Sequence, residues 1–275
     1  MGPSAELLAA VEAVADEAAA LILEVYATDF AVQGKADASP VTLADERAEA
    51  IIVPLLEAAA PGVPVVAEEA VSAGQVPTLD GGAFWLVDPL DGTKEFIGRN
   101  GQFTVNIALV EHGRPTLGVV LAPALGRLFS GWVGHGAWLG DGDLAGEGER
   151  PIRCRTVPAE GLTVVASRSH GDAAALAAFL AGLPVAGTAY VGSSLKLCQL
   201  AAGEADLYPR LGRTMEWDIA AGHAVLAAAG GAVRALDGTP LVYGKPGFEN
   251  PHFVAGSPGA MQAVALARAA AGARP

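Results

Sequence analysis

Residues 85–94 read Trp85-Leu-Val-Asp-Pro-Leu-Asp-Gly-Thr-Lys94. An apolar run delivers two carboxylates, Asp88 and Asp91, on either side of a stiff Pro-Leu step, and a Gly-Thr pair follows at once. The pattern predicts a strand ending in a tight turn, with hard oxygen ligands on the turn and exposed backbone N–H groups behind them. A divalent metal and a phosphate can meet at such a place. Twenty residues upstream of Asp88, Glu68-Glu69 ends another short apolar run; far downstream, Trp217-Asp218-Ile-Ala-Ala-Gly opens an apolar helix. Acidic residues therefore close or open three separate elements.

Outward from this segment the periodicity switches several times. Leu7, Val11, Val14, Ala18, Leu21, Ile22 and Val25 recur at helical spacing, predicting a helix over 4–27. A second helix is predicted from Leu43 to Ala59, stopped by Pro61-Gly62, and a short strand from Val63 to Ala67. Strands follow at Phe84–Asp88, Phe103–Val110, Leu117–Leu121, Leu128–Val133 and Ala137–Leu139, with Glu111-His-Gly113 as a hairpin signal. Beyond a Gly-rich, charged stretch at 140–151 the chain alternates strand and helix, with strands at 162–166, 185–191, 205–208 and 233–236. The order predicts an α+β and α/β layered sandwich. Its N-terminal α+β part, 1–150, carries most of the acidic residues. Its C-terminal α/β part, 151–275, carries Asp218.

The chain has 275 residues, a hydrophobic content of 52% and a net charge of −13. That charge argues against nucleic acid or an anionic membrane as partner. It also sets a difficulty for a phosphate substrate, which bound cations and a few local basic groups must overcome. Two cysteines are too few for a disulfide framework. There is no signal-peptide pattern and no integral membrane segment, so a cytoplasmic protein is expected.

The carboxylates suit Mg²⁺, which takes oxygen ligands and keeps several waters. Asp88 and Asp91 are three apart across the turn and can face one place, with the Leu90 carbonyl between them as a further ligand. Glu68 can join Asp88 on one ion and Asp218 can join Asp91 on another. Two such ions would activate a water and stabilise the leaving oxygen of an in-line phosphoryl displacement. Gly92 and Thr93 offer backbone N–H groups to a phosphate. Taken singly, each piece has a plainer reading: Asp91-Gly92 as a turn, Asp218 as a helix N-cap, Glu68-Glu69 as a solvated strand end, Asp45 as an exposed helical residue.

The run from Trp85 to Val110, WLVDPLDGTKEFIGRNGQFTVNIALV, resembles the lithium-sensitive, Mg²⁺-dependent inositol monophosphatase superfamily. Its Lys94-Glu95-Phe96-Ile97 continuation looks like the CysQ-type 3′(2′),5′-bisphosphate nucleotidases within it. Further matching strings run in order: Ser39–Asp45, Ala67–Glu69, Ala166–His170, Gly192–Lys196, Leu207–Arg210 and Trp217–His223. The resemblance implies the layered sugar-phosphatase fold and two or three Mg²⁺ per site. It implies Glu68, Asp88 and the Leu90 carbonyl as ligands of the first metal, and Asp88, Asp91 and Asp218 as ligands of the second. Thr93 with Glu68 or Asp45 would orient the attacking water. The Gly92 and Thr93 backbone amides would hold the scissile phosphate, and Asp91 and Asp218 are implied as substrate-binding residues besides their metal roles.

For the rest of the substrate the resemblance points to Ser193, Ser194 and Lys196 at a helix start, to His170 and to Arg210. Lys196 reads equally as a cation for a second phosphate or as part of a solvated helix face. His170 reads as a base contact or an incidental loop histidine, Arg210 as a phosphate ligand or a carboxylate partner. Gln102 stands where close relatives often carry Glu, and Glu216 is expected to add negative charge beside Asp218. The implied reaction is hydrolysis of adenosine 3′,5′-bisphosphate to AMP, and also of 3′-phosphoadenylyl sulfate, by a monomer or homodimer inhibited by Li⁺. Inositol-1-phosphate or fructose-1,6-bisphosphate phosphatase activity on the same scaffold is the alternative.

Overall fold

The computed structural model describes residues 3–28, 40–141, 148–167 and 172–272. Helix α1, Ala5–Ala27, starts where the Ser4 hydroxyl accepts the Leu7 N–H at 3.1 Å, an N-cap bond, and buries Val11, Ala15, Ala18 and Ile22 along one stripe. Helix α2, Pro40–Ala59, packs beside it and begins three residues before the expected Leu43. Proline at the first helical position forfeits only an N–H that would be unpaired there anyway.

Strand β1, Val65–Ala67, leads into the short helix α3, Glu68–Ser72. Glu68-Glu69 is thus the first turn of a helix rather than a solvated strand end. Strand β2, Ala83–Asp91, runs directly into helix α4, Thr93–Ile97. Four more antiparallel strands follow: β3, Thr104–Glu111; β4, Arg114–Ala122; β5, Arg127–Trp132; β6, Gly136–Asp141. Strand β7, Arg150–Ile152, completes a seven-stranded sheet in sequence order whose one parallel pair is β1 with β2. His112 and Gly113 turn β3 into β4 with φ of 51° and 74°, the left-handed pair a tight hairpin needs.

The second half builds a five-stranded sheet. Strand β8, Leu162–Ser167, is followed by helix α5, Ala173–Leu180, and strand β9, Val185–Val191. Helix α6, Leu195–Ala201, strand β10, Leu207–Arg210, and helix α7, Ala220–Ala228, come next. Strands β11, Ala232–Ala235, and β12, Phe253–Gly256, and helix α8, Pro258–Gly272, complete the fold. The strand order is β11-β12-β10-β8-β9, with β12 antiparallel to both its neighbours. Sequence pattern misses β12, whose four residues are all buried and show no alternation.

Three apolar layers hold these pieces together. One joins α1 and α2 to the first sheet. A second fills the space between the two sheets around α6 and α7. The third packs α8 and the apolar side of α5 on the second sheet. The result is the layered helix-and-sheet sandwich anticipated above. Helix α7 lies very close to the first sheet. A Cβ on Gly118 of β4 would stand 2.4 Å from the Ala221 oxygen, and one on Gly131 of β5 would stand 2.7 Å from the Val225 Cα. Those glycines let the helix sit down on the strands, which brings Asp218, just before it, to the end of β2.

Candidate active site

Strand alternation explains half of the β2 geometry, and its failure explains the rest. Phe84 and Leu86 face the layer between the sheets, while Trp85 and Val87 face α1 and α2. Continued alternation would put Asp88 and Leu90 on one face and Asp91 on the other. The pairing of β2 with β3 shifts between Asp88 and Asp91, and Leu90 sits with Trp85 and Val87. Asp88 and Asp91 thereby come to the same face. The carboxylates lie on an irregular strand end rather than on a turn, and the Asp88 carboxylate accepts the Leu90 N–H at 3.0 Å across the irregularity.

Glu68, Asp88 and Asp218 each offer an oxygen, and these oxygens lie within 4.8 Å of one another. Burial, and then the charges of its neighbours, push the Glu68 carboxyl up to about 8 and Asp218 to about 7. Asp88, fully enclosed, is raised well above the ordinary carboxylate range for the same two reasons. A set of hard oxygens that repel one another in a dry place is relieved by a divalent cation. The geometry groups Glu68 and Asp88 with Asp218, whereas the sequence paired Asp218 with Asp91. Asp91 stands outside that triple. Burial raises its carboxyl too, opposed by the Lys196 ammonium and the Ser194 N–H. Asp218 is not the α7 N-cap; that position is held by Ile219, and the Asp218 carboxylate accepts the Met215 N–H at 2.8 Å.

Two acidic residues on α2 stand behind Glu68. Asp45 is buried, and burial with the charges of Glu69 and Glu68 lifts its carboxyl to about 8. Glu49, one turn further on the same face, accepts the N–H groups of Glu69 and Ala70, each at 2.8 Å. It thus caps α3 from outside and fixes where Glu68 points. Sequence reading missed Glu49. Its spacing of four from Asp45, which stacks the two on one helix face, was the available signal.

In front of the carboxylates opens a cavity of about 490 Å³. One wall is Gly92, Thr93, Lys94 and Glu95, where β2 becomes α4. Gly92 has φ of 100°, and a Cβ there would stand 3.1 Å from the Gln102 oxygen, so glycine is required. The opposite wall is the turn into α6, with Ser193, Ser194 and Lys196; Arg210, Arg213 and Asp218 close the rim. Gln102 connects the two walls, its side-chain oxygen accepting the Gly192 N–H at 2.9 Å. A glutamate would serve the same bond, so the departure noted in the sequence leaves this link intact.

Lys196 is buried rather than on a solvated helix face, because α6 is enclosed between the two sheets. Its ammonium donates to the Val191 carbonyl at 3.3 Å and to the Ser193 carbonyl, and lies 5.5 Å from the Tyr208 ring centre. Burial pulls it down to about 8, with Asp91 opposing. The Ser194 hydroxyl is turned inward, donating to Asn106 Oδ1 at 2.7 Å and paired with the Thr104 hydroxyl at 2.8 Å; the residue faces the cavity with its backbone. Arg210 donates to the Arg213 carbonyl at 2.8 Å, while its Nε is buried without a hydrogen-bond partner among the described residues. His170 lies outside the described residues. Glu216 does not load charge onto the site: its carboxylate is bound by the Gly244 and Lys245 N–H groups and by the Lys245 ammonium at 2.6 Å.

Comparison with known proteins agrees with this architecture. The model of the inositol monophosphatase family matches residues 4–271. The 3′(2′),5′-bisphosphate nucleotidase CysQ of Escherichia coli K12 is 47% identical over 235 residues, 84% of this chain and 92% of that protein. The protein of the same name from Haemophilus influenzae is 33% identical, over 83% of this chain and 84% of its own length. Among solved structures, CysQ from Bacteroides thetaiotaomicron superposes with a TM-score of 0.79 at 36% identity, covering 92% of this chain and 97% of that one. An inositol monophosphatase from Anabaena superposes at 0.74 with 27% identity, covering 98% and 96%. Among the described residues no helix is long and apolar enough to cross a membrane. The matched fold and the carboxylate cluster at the junction of its two sheets have one reading: this chain is a member of the inositol monophosphatase family.

Proposed function

We propose that the protein is a Mg²⁺-dependent 3′(2′),5′-bisphosphate nucleotidase. It takes adenosine 3′,5′-bisphosphate and water to AMP and phosphate, and accepts 3′-phosphoadenylyl sulfate as a second substrate. The observation that carries the reading is the pairing, across one cavity, of a carboxylate cluster with a buried lysine and two arginines. The carboxylates suit a metal, and the cations suit a phosphate that is not being cleaved. Those cations, together with metal held by the carboxylates, answer the difficulty set by a net charge of −13.

Glu68, Asp88, Asp91, Asp218 and the Leu90 carbonyl would hold two or three Mg²⁺. Bound there, the ions supply an acidified water and neutralise charge on the transferred phosphoryl group. Glu68 or Asp45, together with Thr93 at the start of α4, orients the attacking water. The Gly92 and Thr93 N–H groups receive the scissile phosphate. The water oxygen forms the new P–O bond as the ribose 3′ oxygen departs with the bonding pair and takes up a proton. Lys196, Arg210 and the Ser193 N–H receive the second phosphate, with the Ser194 N–H holding Asp91 beside them. The molecule works as a monomer or a homodimer.

Phosphate release from adenosine 3′,5′-bisphosphate, inositol-1-phosphate and fructose-1,6-bisphosphate, with Mg²⁺ and with Li⁺ added, tests this. A large preference for the nucleotide, suppressed by Li⁺, is expected. Preference for inositol or sugar phosphate would keep the carboxylate roles and remove those of Lys196 and Arg210.

A further inference from the structure

Three carboxylates line the cavity. Asp91 takes the Ser194 N–H and Asp218 takes the Met215 N–H. Glu95 is the exception. It is only 7% exposed, yet among the described residues its carboxylate makes no hydrogen bond and no ion pair. Its side chain lies against Gly192, where an added Cβ would stand 2.6 Å from Glu95 Cγ and 3.0 Å from Cδ. The donors nearby are already engaged: the Gly192 N–H with Gln102, and the Lys196 ammonium with the Val191 and Ser193 carbonyls. Lys196 still offsets its charge at longer range.

A carboxylate that faces a cavity without a protein donor is left to water, and a donor brought by the substrate can take that water's place. A phosphate dianion carries no such donor and a sugar hydroxyl does. Glu95 follows Thr93 by two positions on α4, beside the expected seat of the scissile phosphate. The nearest donor on a 3′-phosphorylated ribose is the hydroxyl on the adjacent carbon. We propose that Glu95 accepts the hydrogen bond of the ribose 2′-hydroxyl and selects ribonucleotides over deoxyribonucleotides. This rests on the nucleotidase reading above.

The test compares kcat/KM for adenosine 3′,5′-bisphosphate and 2′-deoxyadenosine 3′,5′-bisphosphate in the wild type, Glu95→Ala and Glu95→Gln. The wild type should favour the ribonucleotide by roughly 10- to 100-fold, the range for a hydrogen bond to a charged group. Glu95→Ala should bring the ratio close to one, and Glu95→Gln, whose amide oxygen still accepts, should retain part of it. A wild type with no preference overturns the assignment without any variant having to fold. So does a preference that Glu95→Ala leaves intact while lowering both rates. Turnover of neither nucleotide by the wild type, with inositol-1-phosphate hydrolysed instead, overturns the nucleotidase reading and the ribose assignment with it.

Discussion

The two ends of the cavity are built on opposite electrostatic plans. At the metal end, carboxylates from α3, β2 and the approach to α7 crowd together and raise one another's proton affinity. At the other end a single ammonium is buried in α6, its proton affinity lowered, with two arginines at the rim. One end is strained until a cation arrives, the other until an anion arrives. Asp91 lies between them, raised by burial and held down by Lys196. Each end of the site is therefore destabilising alone and complementary to one part of a metal–phosphate substrate complex.

The largest break in this contrast should come from Asp88→Asn. It removes a metal ligand, and turnover should fall at least ~10³-fold, read as kcat at saturating Mg²⁺. The metal-free protein should melt no lower than the wild type, since a crowded carboxylate is gone. A large drop in melting temperature would show that Asp88 carries structure rather than chemistry.

At the other end, Lys196→Met should lower kcat/KM for adenosine 3′,5′-bisphosphate about 10- to 100-fold more than for inositol-1-phosphate. Equal losses would dissolve the division into two ends. Glu49→Gln should act on the metal end at one remove, raising the Mg²⁺ concentration for half-activity by about tenfold while kcat at saturation changes less. An unchanged Mg²⁺ response would detach the α3 cap from the metal end.

The smallest effect sharpens the contrast by a control away from the cavity. Glu12 on α1 is pushed up to about 7 by burial, with Glu149 and Asp16 adding to it and Ser130 opposing. The folded protein then holds a proton that the unfolded chain, near 4.5, releases. Its contribution to stability falls as pH rises between those values and is flat above. Glu12→Gln should raise stability by ~1–2 kcal/mol at pH 8, discounted for partial exposure, and by little at pH 4. Denaturant midpoints at the two pH values read this out. Added Mg²⁺ should stabilise the wild type and Glu12→Gln alike, by about 2.7 kcal/mol at a hundred times the dissociation constant. Crowding at Glu12 is relieved by protons, and crowding at the site by metal.

The acidic end was the more legible in sequence. Glu68, Asp88 and Asp218 stand at the ends of apolar runs, where burial and chain direction converge. The sequence offered Lys196 as a phosphate ligand or a solvated residue and could not decide, because its burial comes only when the second sheet folds over α6 and encloses the lysine. Glu49 was hidden for the same reason: a charged residue on a helix reads as solvated until α3 docks on it. Helix α4 escaped as a five-residue element with no period to detect, and β12 as four uniformly buried residues. The layered order was readable because α1, α2 and the long strands carry clean periods.

The shift between Asp88 and Asp91 makes the site a matter of parity. Two residues an odd number apart on a regular strand look in opposite directions, and here one surplus backbone step turns odd into even. Swapping Leu90 for another apolar residue leaves that count alone. Adding or deleting one residue changes it, and would aim one of the two carboxylates into the apolar packing of α1 and α2. The chemistry depends on the number of peptide units between two aspartates as strictly as on the aspartates themselves.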